Sequence, residues 1–539
     1  MTIDFRRSVR EAESNTGINL VLIKYIYTMK SLFKAVALIT FFTIITRVLG
    51  FFFKIYLSRE IGAEALGIYQ VAFSILMVLI TFVASGLPLI ISKLSASMHS
   101  KGEIKQERSM VATALVVSVI IASVTCVIVL LLNSVLKYIF TDERCVLILI
   151  LMLPAVIFNA IYSTFRGWFW GRSNYFGVCI AELFEQVARI VVFVLMMGGV
   201  MTVLDGAVTA GVSLTIACFL SAVFVTILFF AYGGRLSKPK GFAKELVKTS
   251  TPITLVRIAS SLIQPIIAII IPMRLVAAGM SSSEALALFG IAFGMTLPFL
   301  FIPSALTGSL GMALVPDLST AVAQKNGEHI TNRVTSSVLI TLFISCFFVP
   351  LYMGAGENIG LFFFDNAESG KMLVFSAWIM IPIGLTSITS SILNALGYEV
   401  KSMKNYIVGA ILMLLSIWFL PKFIGIYAVV VGMGVCMTLA SVLNIRMINK
   451  IISPKIKIGK SIFLISVLSI PVASITSFLT NILVHFVPLF INLAISCSVG
   501  AVFFLLLCQI FDLIDIKIWV ASAKEKVSEK FLKRKLHKS

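Results

Sequence analysis

Two arginines stand where an arginine is expensive. Arg47 and Arg257 each interrupt a long apolar stretch. An ionisable side chain in mid-membrane costs about 2.5–3.5 kcal/mol on insertion scales, so it usually faces a cavity or a partner. Arg47 lies about 13 residues into its stretch, roughly 20 Å deep at 1.5 Å per helical residue. Two guanidiniums at such depth suit an anion, most simply a phosphate or pyrophosphate, which a guanidinium can grip with paired N–H donors. Lys54, seven residues after Arg47, falls on the same helix face nearer the outer end. The competing reading is that each arginine bonds neighbouring carbonyls and that Lys54 snorkels to the interface.

A second constellation lies at Glu182, Glu185, Gln186 and Arg189. Spacings of three and four residues place both glutamates and the arginine on one helix face. Glu185 and Arg189 are spaced for a neutralising ion pair that stabilises the helix bundle. Glu182 is then left partly unpaired and is the better candidate for coupling to a cation, H+ or Na+.

Other chemistry is missing. The eight cysteines fall within or at the ends of apolar stretches, where cysteine acts as a small hydrophobe. None forms a C-x-x-C pair, so neither a disulfide framework nor a metal site is indicated. The four histidines are scattered. Gly459-Lys460-Ser461 resembles the end of a phosphate-binding loop, but position 454 is proline where that motif needs glycine. With no nucleophile–base pair and no loop long enough for a soluble catalytic domain, no enzyme and no cofactor are expected.

The elements that must carry these residues follow from composition. Of 539 residues 59% are hydrophobic and 13% charged, about half the charged share of a soluble domain. That excludes a soluble globular protein and a disordered one. One crossing takes about 20 apolar residues. Fourteen segments can be read, near 34–57, 66–91, 110–136, 145–165, 176–199, 207–231, 250–273, 285–311, 334–353, 372–396, 405–421, 424–445, 461–485 and 488–511. The net charge of +20 would suggest nucleic acid in a soluble protein. Here it follows the positive-inside rule. Of the 44 Lys and Arg residues, 34 lie in the even-numbered loops and the tails, seven in the odd-numbered loops and three inside segments. Both termini are therefore expected in the cytoplasm, with no nucleic-acid partner. The basic tail Lys524–Lys538 would rest on anionic lipid. Residues 1–28 read as an interfacial anchor or an overlong gene start, with Met29 the alternative beginning; no cleavable signal peptide is evident.

An internal repeat is legible. Ala65–Phe73 reads against Ala285–Phe293, Arg47 against Arg257, and Leu94-Ser95 against Leu318-Ser319. Six segments separate the copies, an even number, which makes the repeat parallel about an axis along the membrane normal. The expected organisation is an N-terminal segment 1–30, an N-lobe 31–233, a C-lobe 234–445, two further helices in 446–515 and a basic tail 516–539. Gly86-Leu87-Pro88, Pro265, Pro272, Pro298, Pro303 and Pro382 interrupt spans, as is tolerated where neighbours or water re-satisfy the backbone.

Several of these residues fall in a known pattern. Thr46-Arg47-Val48-Leu49-Gly50-Phe51 resembles the segment 1 signature of the multidrug/oligosaccharidyl-lipid/polysaccharide flippase superfamily. Gly86-Leu87-Pro88 with Ile91-Ser92-Lys93-Leu94 resembles segment 2 of its polysaccharide-transport members. The most specific match is Phe165-Arg166-Gly167-Trp168-Phe169-Trp170-Gly171-Arg172 followed by Glu185-Gln186-Val187-Ala188-Arg189, which resembles the stage V sporulation protein B family. Asn394-Ala395-Leu396-Gly397 resembles the turn that ends segment 10. Through these motifs Arg166, Arg172 and Asn394 join the candidate site as cytoplasmic gate or motif residues.

The resemblance implies an all-α polytopic membrane protein of about fourteen transmembrane helices. Two six-helix lobes would stand in a parallel, MATE-like repeat, plus two extra C-terminal helices. It also implies a flippase for a lipid-linked anionic glycan, acting by alternating access in the plasma membrane and, in a sporulating cell, in the forespore membrane. Lipid II flippases are more distant relatives. They carry a basic residue where this chain has Phe53 and an arginine near its Gly294, departures that argue against lipid II itself as cargo. A monomer in contact with membrane lipids is expected. The alternatives are a cation-coupled multidrug antiporter of the same fold and a non-transporting scaffold in envelope or spore assembly. An antiporter for cationic drugs would prefer an acidic interior. An intramembrane enzyme ranks last.

Overall fold

The structure, a computed structural model, describes residues 17–199, 202–324, 326–452 and 459–511. Residues 1–16 and the basic tail lie outside the described residues, whereas 17–30 of the expected N-terminal segment run helically into segment 1. Among the described residues there is helix and no strand. Twelve helical stretches are long and apolar enough to cross a membrane. One of them, Leu38–Ser100, has 63 residues, enough for segments 1 and 2 together. Tyr175–Met196 adds segment 5, whose three charges set it apart from the others. The count thus reaches the fourteen expected.

Helix ends fall where local chemistry puts them. Asn174, Asn326 and Asn366 cap the N-termini of segments 5, 9 and 10, their side-chain oxygens accepting from Gly177 N, His329 N and Ser369 N. Thr202 with Asp205, and Ser281 with Glu284, form reciprocal capping boxes at the starts of segments 6 and 8. Gly62, at φ 75°, kinks the long first helix between segments 1 and 2, a conformation open to residues without a Cβ. Some of the prolines follow breaks, whereas Pro272 and Pro303 lie inside continuous helices. Segment 2 breaks at Ser85-Gly86 ahead of Pro88, and segment 7 divides into Ala243–Ser261 and Ile263–Ala277 just before Pro265. Segment 8 runs through a π-helical turn, Ile291–Thr296, ahead of Pro298.

Two compact units emerge. The first holds residues up to Ile61 together with Ile68–Ile266; the second holds Gly62–Gly67 and the chain from Ile267. Within the first, segment 4 is central, packing on segments 2, 3 and 6, while segment 5 packs on segment 6. Phe165, Trp168, Phe169 and Phe229 form its buried centre with Leu87, Ile91 and Met110. In the second unit segment 10 packs on 8, 9 and 12, and segment 11 on 12, around Leu318, Val334, Leu342, Ile388 and Ile392. The same pairing recurs in the same order. Segments 13 and 14 lie outside the repeat and join segment 9 through Cys346, Val472, Phe504 and Cys508.

The repeat extends to single hydrogen bonds. After segment 4, Arg172 N donates to Trp168 O, Ser173 N to Trp170 O and Asn174 N to Phe169 O. After segment 10, Leu396 N donates to Ile392 O, Gly397 N to Asn394 O and Tyr398 N to Leu393 O. The offset is that of Ser95 to Ser319, and the pivots Ser173 and Gly397 are both left-handed, at φ 55° and 81°.

Within the second unit, the short stretch Gly62–Gly67 packs on segment 8 at glycines. A Cβ on Gly67 would strike the Leu286 carbonyl, and one on Gly290 the Ala63 carbonyl. Backbone cannot yield as a flexible side chain can. Gly290→Ala is expected to destabilise the protein by about 1–3 kcal/mol through overpacking. Gly308→Ala, where nothing lies within 4 Å of the added Cβ, should match or exceed the wild-type Tm. Thermal unfolding of the detergent-purified proteins distinguishes the two.

Candidate functional site

The polar side chains of the first unit gather in two places. At the ends of segments 2, 3 and 4, Glu107 is 1% exposed. Arg172 meets it in a fork, with Nε donating to Oε1 at 3.0 Å and Nη2 to Oε2. Ser95 Oγ also donates to Oε1, and the guanidinium lies 4.9 Å from the centre of the Trp168 ring. A buried carboxylate needs such partners, since desolvation alone would cost several kcal/mol. Arg172, a motif residue in the sequence, therefore holds helices together here. Glu107 was not singled out from the sequence: it sits among the polar residues Lys101–Arg108 and resembles solvated loop.

The second place is the inner stretch of segment 5, with segment 4 and segment 1 beside it. Arg189 Nη2 donates to Glu185 Oε1 at 2.8 Å, and both side chains are about one-fifth exposed, the pair expected from the i,i+4 spacing. Glu182 is not wholly alone. Arg166 Nη1 stands 3.8 Å away, beyond hydrogen-bond reach, while the Arg166 guanidinium lies 4.9 Å from the Trp170 ring centre and 5.7 Å from that of Tyr162. Four buried polar atoms here, Tyr162 OH, Arg166 Nε, Gln186 Nε2 and Arg189 Nε, have no hydrogen-bond partner among the described residues. Segment 1 runs alongside. Gly50 lies against the Gln186 amide, and Phe53 packs edge-on against Phe193 at 5.5 Å.

Segment 1 carries Arg47 exposed and Lys54 half-buried. Neither makes an ion pair among the described residues. Arg257, on the first half of segment 7, is exposed but donates from Nη1 to Ser85 O at 3.2 Å. That carbonyl belongs to the break in segment 2, where Thr254 and Ser250 press against Gly86. For Arg257 the carbonyl-bonding alternative is thus realised with one of its donors. Asn394 is exposed at the end of segment 10 and serves through its backbone carbonyl, which accepts from Gly397 N at 3.1 Å.

The charged set belongs to one copy of the repeat. At the offset that superimposes the two turns, Arg166, Arg172, Glu182, Glu185 and Arg189 correspond to Ser390, Leu396, Tyr406, Gly409 and Met413. The second copy forms the same helix pairing without these charges.

Fourteen helical spans among the described residues, with a helix pairing repeated in the second unit, make this a multi-pass membrane protein. The chain belongs to the polysaccharide biosynthesis protein family, which matches over residues 32–322, more than half its length. It is 23% identical over 492 residues to stage V sporulation protein B of Bacillus subtilis, covering 87% of this chain and 93% of the relative. Its fold is similar to that of a lipid II flippase, MurJ, in an inward closed conformation, with a TM-score of 0.63 at 14% identity, over 88% of this chain and 98% of that one. It is also similar to an inward-facing multidrug resistance MATE family transporter of the MOP superfamily, with a TM-score of 0.62 at 15% identity, over 76% and 94% of the two chains.

Proposed function

We propose that the protein translocates a polyprenyl-pyrophosphate-linked glycan or peptidoglycan precursor across the plasma membrane by alternating access. One observation carries this reading: the charge balance of the first unit. Its carboxylates Glu107, Glu182 and Glu185 all have arginine neighbours. Arg47, Lys54 and Arg257 make no ion pair among the described residues. The surplus charge within the spans is therefore positive, which favours an anionic cargo. Arg47 and Arg257, with Lys54 towards the outer end, hold the pyrophosphate while the lobes rock.

The stage V sporulation protein B and lipid II flippase relatives fit a cell-wall or spore-cortex precursor. Two positions bear on whether the cargo is lipid II itself. Phe53 is buried against Phe193, and a Cβ on Gly294 would strike Leu66. A basic side chain at either position would require repacking, which argues against lipid II itself and leaves an anionic polyprenyl-linked cargo open. The drive is the membrane potential or a cation gradient, H+ or Na+. One charge is worth about 2.3 kcal/mol per 100 mV, and Glu182, held only loosely by Arg166, is the coupling group. The protein works as a monomer without catalysis, both termini in the cytoplasm, in the forespore membrane when the setting is sporulation.

The second reading is a cation-coupled drug antiporter, favoured by the shared MATE fold and the glutamates of segment 5. Proteoliposomes separate the two. Uptake of a polyprenyl-pyrophosphate sugar that accelerates with imposed potential supports the flippase. Uptake of a cationic drug without lipid translocation transfers the assignment to the antiporter.

A further inference from the structure

The second unit contains a basic pocket that the transport reading leaves unused. Where segment 11 begins and segment 12 ends, Lys401, Lys404, Arg446 and Lys450, with Asn405 and Asn449, line a cavity of about 680 Å³. The two lysines are three residues apart and the other pair four apart, so each helix presents one charged, exposed face to the pocket. No carboxylate lines the cavity, and none of the four cations makes an ion pair among the described residues. Lys401 Nζ instead lies 5.0 Å from the centre of the Tyr398 ring. The floor is polar and rigid. Asn405 Nδ2 donates to Asn444 Oδ1 at 2.9 Å, and buried Asn444 donates on to Thr389 and Ser390.

The lysines are not shared by the two copies of the repeat. At the offset of the two turns, Lys401 and Lys404 correspond to Gly177 and Ile180 in the first copy. Below Lys404, at helical spacing, Ile407, Val408, Ile411 and Leu415 are exposed at 44%, 48%, 54% and 48%. A concentration of positive charge at the membrane surface, continued by an apolar track into the bilayer, matches a phosphate head with attached acyl chains. A free phosphate would use the pocket but not the track.

We infer that this pocket binds the phosphate head group of an anionic phospholipid from the surrounding leaflet, with an acyl chain along Ile407–Leu415. The pocket is lined by second-unit residues alone and shares none with the proposed cargo site, so it stands or falls independently of the cargo assignment.

The test counts phosphatidylglycerol bound to the purified full-length chain by native mass spectrometry, with phosphatidylcholine in parallel. One retained phosphatidylglycerol and no retained phosphatidylcholine is expected. Lys404→Gln with Arg446→Gln should weaken retention about thirty-fold, as follows from losing two basic groups at a lipid surface. Lys404→Arg with Arg446→Lys should keep it, showing that the fold is intact. Lys101→Gln with Lys105→Gln, outside the pocket, should leave it unchanged. Equal losses in both glutamine double variants would mean diffuse surface attraction and overturn the site. Displacement of the lipid by inorganic phosphate at about 10 mM would reassign the pocket to free phosphate and overturn the lipid. Ile411→Ser, which disrupts the track alone, should lower lipid retention several-fold without affecting phosphate.

Discussion

Arg47→Ala is expected to abolish translocation of a polyprenyl-pyrophosphate sugar while leaving membrane insertion and yield unchanged. Arg47 is exposed and carries no ion pair among the described residues, so its loss leaves no buried partner stranded and the fold does not depend on it. A charge-assisted grip on a phosphate away from bulk water is worth about 3 kcal/mol, or about a hundredfold in rate when the contact is made throughout the cycle. Arg47→Lys should fall between. It keeps the charge but replaces a planar fork with a point charge. Flux in proteoliposomes, normalised to inserted protein, is the measurement. Wild-type flux in Arg47→Ala would falsify the anion-binding role and leave Arg47 a snorkelling cation.

The largest structural effect is expected at Arg172. Arg172→Met strips the buried Glu107 of its fork and should destabilise the first unit by about 3 kcal/mol, the lower end for a broken buried pair because Arg172 itself reaches solvent. The readout is loss of monodisperse protein on heating in detergent. Adding Glu107→Leu should recover most of the loss, since an apolar pair of similar volume can replace a buried ion pair at little cost. The coupling energy of this double-mutant cycle separates the pair from the remaining contacts. If both single variants were as stable as wild type, the cluster would play no structural part, and a gating role for Arg172 would have to be argued from transport alone.

The two experiments divide the motif residues by what they do. Arg47 is placed by its own helix and faces outward from it. Arg172 is committed to a partner on another helix, and its recurrence in the family pattern reflects the joining of segments 3 and 4 as much as any gate. Arg257 stands between these cases. One donor is spent on the Ser85 carbonyl at the break in segment 2, and the others remain for a ligand.

The sequence by itself determined what depends on neighbours along one chain. Long apolar runs had to become helices that satisfy their own backbone in lipid, and their number follows from length alone. Asparagine and serine caps, the breaks just ahead of Pro88, Pro265 and Pro298 and the i,i+4 pair of Glu185 with Arg189 are local, and each follows from its spacing. The repeat was legible because copies of one segment keep their register.

Only the tertiary structure decided which helix lies against which. Glu107 meets Arg172 across 65 positions, and Arg257 reaches Ser85 across 172. Neither contact has a period that a sequence could display. The crossing of Gly67 with Gly290, the burial of Phe53 and the filling of the Gly294 site by Leu66 likewise depend on how helices pair. Apolar helix faces in a membrane protein look alike to lipid and to one another, so hydrophobic pattern cannot name the partner. Close packing and the satisfaction of buried charge do so, and both exist only once the helices have assembled.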